Sequence, residues 1–212
     1  MAAALADRVA RVLSTDLSPA MVEAARRRGI ANAEHRVLDL QALDLPDACV
    51  DAVVCRFGYM LAPDPALALR ETRRVLRGGG RLAFATWGPA NRNPWATAYG
   101  PVLIERGLQK PPPPGEPGQF ALDEPGQIEE LVRGSGFIEV TVEEVGVEYR
   151  FESWSDYRRV VTSLAASLRG TLDQLDDRTR AEIDAGARAR IERFHGADGY
   201  SLPGLALVTS AR

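Results

Sequence analysis

Two hydrophobic periods alternate along the first 86 residues of the chain. Residues 11–15 form a short apolar, β-branched run that stops at an acid, Asp16, which predicts a strand. Ser18 and Pro19 follow, an N-cap residue and a proline at the first helical position, and they predict a helix over 19–28. Arg26, Arg27 and Arg28 in its last turn, with Gly29 just beyond, suit a helix C-terminus. Residues 34–38 predict a second strand, which ends at another acid, Asp39. Residues 51–56 are almost continuously apolar, as a strand buried on both faces would be. Residues 64–76 carry Leu69, Thr72, Val75 and Leu76 at three- and four-residue spacing, a helix that Gly78, Gly79 and Gly80 should end. Residues 81–86 then predict a fourth strand. Strands and helices alternating through short connections specify an α/β fold with a mostly parallel sheet and right-handed crossovers.

Beyond this the pattern loosens. Residues 107–118, with four consecutive prolines from Pro111 to Pro114, predict a stiff extended linker. Residues 124–133 predict a helix, stopped at Gly134 and Gly136, and 137–151 one long or bent strand. Residues 153–194 predict two helices broken near Gly170 and Thr171, and 205–209 a last strand. The expected organisation is therefore a core over 1–150, a helical cap over 151–199 inserted before the last strand, and a return to the core sheet over 200–212.

Composition narrows the function classes. The 212 residues carry 26 Lys and Arg against 29 Asp and Glu, a net charge of −3 that gives no footprint for nucleic acid or an acidic membrane. Cys49 and Cys55 are the only cysteines, which predicts free thiols in a reducing cytoplasm and no zinc site or other metal. No apolar run is long enough to cross a bilayer, and residues 1–8 lack a signal-peptide pattern and look like the tail of a helix. Of the two histidines, His35 should flank a strand at the surface and His195 falls in a glycine-rich turn, so neither is a convincing base. The strongest chemical candidate is Asp16. An acid at the carboxyl end of a strand lies on the edge where open α/β sheets bind ligands. Its carboxylate can accept two hydrogen bonds from the vicinal hydroxyls of a ribose, the alternative being an aspartate that only caps the turn.

Three ordered segments resemble the class I S-adenosylmethionine-dependent methyltransferases, in particular those similar to the ubiquinone/menaquinone-biosynthesis enzymes. They are Thr15-Asp-Leu-Ser-Pro-Ala-Met21, then Leu38-Asp-Leu-Gln-Ala-Leu-Asp-Leu-Pro46 with Val50-Asp-Ala-Val-Val-Cys-Arg-Phe57, and Leu69-Arg-Glu-Thr-Arg-Arg-Val-Leu-Arg-Gly-Gly-Gly-Arg-Leu82 continuing to Gly88. The resemblance implies a Rossmann-like sheet and S-adenosylmethionine as cofactor. Asp16 would then hold the ribose hydroxyls, with Leu17 and Met21 lining the adenosine. Asp39 would accept from the adenine amino group and the Leu40 backbone N–H would reach a ring nitrogen. Arg56 and Phe57 would lie beside the methionine and sulfonium, and Tyr59, Trp87 and Trp95 would border an acceptor pocket. No catalytic base is expected.

The family's first strand and its GxGxG loop have no counterpart here, so the fold is expected to be N-terminally truncated. A start placed too late is the favoured explanation, beside a fragment or a degenerate protein, and the chain as numbered should bind the cofactor poorly. Two functions follow. One is methyl transfer to a small-molecule acceptor, impaired in this form; the other is a catalytically inactive binding or dimerisation module. An exposed sheet edge would favour a homodimer.

Overall fold

The computed structural model describes every residue except 112 and 114, so part of the proline run expected to form a linker lies outside the described residues. In chain order the elements are α1 (Ala2–Ala6), β1 (Val12–Asp16), α2 (Pro19–Arg26), β2 (Ala33–Val37) and β3 (Val50–Arg56). A 3-10 turn at Tyr59–Leu61 leads to α3 (Pro65–Val75), β4 (Leu76–Trp87), α4 (Pro94–Thr97), α5 (Tyr99–Glu105) and α6 (Pro125–Gly134). Then come β5 (Thr141–Phe151), α7 (Trp154–Leu164), α8 (Ala166–Asp173), α9 (Asp177–Ile191), β6 (His195–Gly196) and β7 (Gly199–Ala211). The chain divides into two compact units. Unit 1 comprises residues 1–86, 125–142 and 208–212, and unit 2 residues 87–124 and 143–207. The contacts thus divide the chain elsewhere than at residue 150, although the helices expected as a cap all fall in unit 2.

The α/β character and the parallel pairing are as the alternating periods require. β1 and β2 pair in parallel from Val12 with Ala33 to Asp16 with Val37. β3 and β4 pair in parallel from Val50 with Leu76 to Arg56 with Ala85. The register shifts between Val50 and Ala52, where Gly78–Gly80 lie within the span of β4, so the glycine run belongs to the strand and not only to the end of the helix. The strands form two sheets where one was expected: β1-β2, and β3-β4-β7-β5 with β6 pairing to β7. In that order β1 has β2 alone as a neighbour and β3 has β4 alone among the described residues. The consequence is visible on β3. Its sequence suits a strand covered on both faces, but Ala52 is exposed and Val54 is 42% exposed.

The core of unit 1 is laid down by α3, which starts at the N-cap Asp64, whose carboxylate accepts from the Leu67 N–H at 2.8 Å. Its inward stripe buries Ala68, Leu69, Thr72 and Val75, while Leu82 and Phe84 are buried on β4 and Ile128 and Val132 on α6. Each such aliphatic side chain contributes ~1.5–3 kcal/mol of transfer free energy. Unit 2 is different in kind. Its core is a chain of rings in which Trp95 stacks on Tyr149 at 4.2 Å and meets Trp87 edge-on at 4.9 Å. Phe151 meets Tyr157 edge-on at 5.2 Å.

Several boundaries differ from the expectation for identifiable reasons. Residues 154–191 form three helices, with breaks at Ala165 and Gln174–Asp176, and Gly170 sits inside α8. The new start is set by Asp176, whose carboxylate accepts from the Thr179 N–H at 2.9 Å. Helices α4 and α5 had no predicted counterpart. The last strand runs over Gly199–Ala211 and not only 205–209. It opens from a turn that needs Gly199, at φ +99°, because a Cβ there would stand 2.3 Å from the Phe151 carbonyl. His35 lies within β2 with a buried Nδ1 that has no partner, so it is part of the strand and not a flanking surface residue.

Candidate functional site

The site is built within unit 1 from the carboxyl ends of three strands. β1 terminates at Asp16 because the chain must turn into α2, whose N-cap is Ser18 and whose first residue is Pro19. The turn is closed by Asp16 itself: Oδ1 accepts from the Ser18 N–H at 2.9 Å. The second oxygen has no hydrogen-bond partner among the described residues. Beside it Leu17 and Met21 are 68% and 58% exposed, two apolar side chains with little protein over them.

The next strand tip is its immediate neighbour. The Leu38 N–H donates to the Asp16 carbonyl at 3.2 Å, which extends the β1-β2 ladder and sets Asp39 one residue further on. Asp39 repeats the arrangement of Asp16, with Oδ1 accepting from the Gln41 N–H at 2.8 Å. Asp39 and Leu40 are both half-buried. The loop that follows is fastened to α3. Arg74 donates to the Leu43 and Leu45 carbonyls and to Asp47, each at 2.7 Å, and Glu71 accepts from the Leu43 N–H at 3.0 Å. The hydrogen bond from Arg74 holds the Glu71 carboxyl below its ordinary value, and the Leu43 N–H adds to this. Glu71 and Arg74 are positioning residues that the sequence reading passed over. Their signal is an acid and a base three apart on the polar side of α3, opposite a complete apolar stripe.

The third tip carries a backbone outlier. Phe57 follows β3 with φ +61°, a left-handed conformation that costs a bulky residue on the order of 1–3 kcal/mol, and its N–H donates to the Ala85 carbonyl at 2.8 Å. The Arg56 guanidinium lies 5.9 Å from the Phe57 ring centroid. Gly58 comes next, and a Cβ there would stand 2.6 Å from the Cys55 sulfur, so any larger residue would have to displace the thiol. Gly58 is a second position the sequence reading missed; a glycine immediately after a strand's last large residue is the sign. Burial pushes the Cys55 thiol up, and the Asp16 carboxylate adds to that rise, so the tips of β1 and β3 are within electrostatic reach of each other. Asp16 and Asp39 follow one another at the carboxyl ends of the paired strands β1 and β2, and Arg56 and Phe57 stand at the carboxyl end of β3.

Tyr59, Trp87 and Trp95, expected to border an acceptor pocket, are all buried side chains. Tyr59 is fully buried in unit 1, edge-on to Phe84 at 4.9 Å, with its hydroxyl donating to Thr72 Oγ1 at 2.6 Å. Thr72 in turn donates to the Ala68 carbonyl, and burial raises the Tyr59 phenol far above its ordinary value. Trp87 and Trp95 are buried in unit 2, where the Trp95 indole N–H donates to Asn93 Oδ1 at 3.1 Å. Rings at these positions gain more from packing than from facing solvent. Among the described residues no three His, Cys, Asp or Glu side chains are grouped to hold a metal.

Residues 1–84 match the family model described as a methyltransferase domain. The first 84 residues thus match a methyltransferase domain, the family that the three ordered segments resemble. The methyltransferase tpcH of Aspergillus fumigatus is 28% identical over 208 residues, covering 93% of this chain and 72% of that protein. The demethylmenaquinone methyltransferase of Thermus thermophilus is 38% identical over 93 residues, and the match spans 42% of each chain. The YcgJ protein of Bacillus subtilis has the same fold, with a TM-score of 0.60 at 17% identity over 100% of this chain and 86% of that one. No helix among the described residues is long and apolar enough to cross a membrane.

Proposed function

We propose that this chain is a class I methyltransferase that transfers a methyl group from S-adenosylmethionine to a small-molecule acceptor, and that Asp16 and Asp39 grip the adenosine. One observation carries the proposal. Paired strand tips each present a carboxylate with one oxygen fixed by a backbone N–H and the other uncommitted to the protein. That pair of acceptors fits adenosine, because carboxylates only accept while ribose hydroxyls and the adenine amino group donate. Asp16 takes the ribose hydroxyls and Asp39 the amino group, with the Leu40 N–H meeting a ring nitrogen. Leu17 and Met21 lose their exposed apolar surface to the ligand, worth about 25 cal/mol for each Å² covered. The Phe57 ring, fixed by its strained backbone, and Arg56 flank the place of the methionine. A ring face toward a sulfonium adds ~0.5–2 kcal/mol.

When bound, the cofactor supplies an electrophilic methyl group for in-line displacement, so the chain's own residues orient the partners and exclude water. The relatives named for demethylmenaquinone and for ubiquinone/menaquinone biosynthesis support a small-molecule acceptor. Free thiols at Cys49 and Cys55 suit a reducing compartment.

A second reading, a folded module that binds or dimerises without transferring methyl, is favoured by β3, which has one neighbour and leaves Val54 exposed. Impaired cofactor binding belongs with the same observation. Calorimetric titration of the folded protein with S-adenosylmethionine separates the two. Saturable binding that weakens at least tenfold in Asp16→Ala supports methyl transfer, whereas a folded sample that takes up no ligand supports the module.

A further inference from the structure

Unit 2 contains a cavity of about 280 Å³, lined by Pro94, Ala98, Pro101 and Ile191 together with Arg190 and Arg193. Its charge is unbalanced. Eight other arginines of this unit, among them Arg92, Arg158 and Arg188, each pair with an acid within 4 Å. Arg193 has no acid partner among the described residues, and its guanidinium lies 4.7 Å over the Phe194 ring, a contact that leaves its N–H donors free. Arg190 reaches its acid, Glu105, only at 3.7 Å. The adjacent Glu192 is engaged by Arg188 at 3.4 Å, by the Tyr200 hydroxyl at 3.1 Å and by His195 at 3.5 Å. No acid lines the cavity, whereas Asn91 does, as a further polar group.

We infer that this cavity binds a small organic acid, its carboxylate on Arg190 and Arg193 and its hydrocarbon body against Pro94, Pro101 and Ile191. A guanidinium offers two parallel N–H donors that match a carboxylate, and the apolar side chains beside them give the rest of the ligand carbon surface to cover. The volume is at the lower limit for ligand pockets, ~300 Å³, which suits a single ring or a short branched chain. All the lining residues belong to unit 2, so the inference is independent of how unit 1 holds its cofactor.

The test is an NMR titration of the full chain with benzoate, benzamide and inorganic phosphate. Benzoate should saturate a single site, shifting the amides of Ala98 and Ile191. Benzamide, the same ring without charge, and phosphate, the charge without a ring, should each bind about tenfold more weakly or worse. Arg193→Gln and Arg190→Gln should each weaken benzoate about tenfold. Shifts that miss these residues, equal binding of benzoate and benzamide, equal binding of benzoate and phosphate, or an Arg193→Gln protein that binds benzoate normally would overturn the assignment. The ligand comparison uses the unaltered protein and decides the matter even if a variant fails to fold.

Discussion

The carboxyl edge of unit 1 and the ring cluster of unit 2 use polar and aromatic side chains in opposite ways. At the edge, Asp16 and Asp39 are each held by one short-range hydrogen bond, and Asp16, Leu17 and Met21 face solvent. In the cluster, the fully buried Asn93 donates from Nδ2 to the carbonyls of Gly88, Pro89 and Leu205, and its Oδ1 accepts from Leu205 N–H and the Trp95 indole. A side chain engaged on all sides stabilises the fold and has nothing left for a ligand. One fixed by a single bond stays oriented and keeps donor or acceptor capacity in reserve. Partial satisfaction, not polarity itself, distinguishes the strand-tip edge from the core.

This contrast breaks first at Trp95. Trp95→Ala removes a buried ring stacked on Tyr149 at 4.2 Å and should cost ~3–5 kcal/mol in denaturant unfolding. A loss under about 1 kcal/mol would show that the ring cluster is not the core of its unit. Asn93→Ala should come next, at roughly 1–3 kcal/mol, because it strands the Leu205 and Trp95 donors away from water. Tyr59→Phe deletes only the bond to Thr72 and should cost about 1 kcal/mol by the same measurement. Asp16→Ala and Asp39→Ala should fall below ~1 kcal/mol in stability, a turn hydrogen bond each, while weakening cofactor binding at least tenfold. Were either to unfold the protein, the edge would be structural after all.

The smallest effect is the pH response of the loop clamp. Glu71 has a folded-state pKa lowered from 4.5 by Arg74, so the clamp contributes its stability at pH above that ordinary value. The contribution disappears as pH falls through the lowered folded value. The stability difference between the protein and Glu71→Gln, measured by urea unfolding, should therefore be constant near neutrality and shrink on acidification below 4.5. A difference that grows on acidification would assign the clamp to another group.

Much of unit 1 was legible because its signals are local. Ser18 and Pro19 announce α2, Asp64 and Pro65 announce α3, and the apolar runs between them mark the strands. What local signals do not carry is neighbour count. The residues of β3 suit a strand with two neighbours, and only the assembled sheets show that it has one. Unit 2 was less legible for a related reason. Pro94, Gly100 and Pro101 interrupt any helical period over α4 and α5, whose formation depends on burying Trp95, Tyr99, Val102 and Leu103. Gly170 looked like a break yet lies in α8, since a single glycine costs a helix only ~1 kcal/mol. At the site, the acids were readable as strand-terminal residues. The left-handed Phe57 and the glycine behind it follow from tertiary contacts with Cys55 and Ala85, which no sequence period encodes.

The account turns on which carboxylate meets which part of the adenosine. Its most direct test compares the affinities of S-adenosylhomocysteine, its 2′,3′-dideoxy analogue and its inosine analogue for the unaltered protein, Asp16→Ala and Asp39→Ala. Deleting the ribose hydroxyls should weaken binding to the unaltered protein and to Asp39→Ala but leave Asp16→Ala unaffected, and replacing the adenine amino group should spare Asp39→Ala alone. Equal losses for all three proteins would contradict the assignment of the two acids to sugar and base.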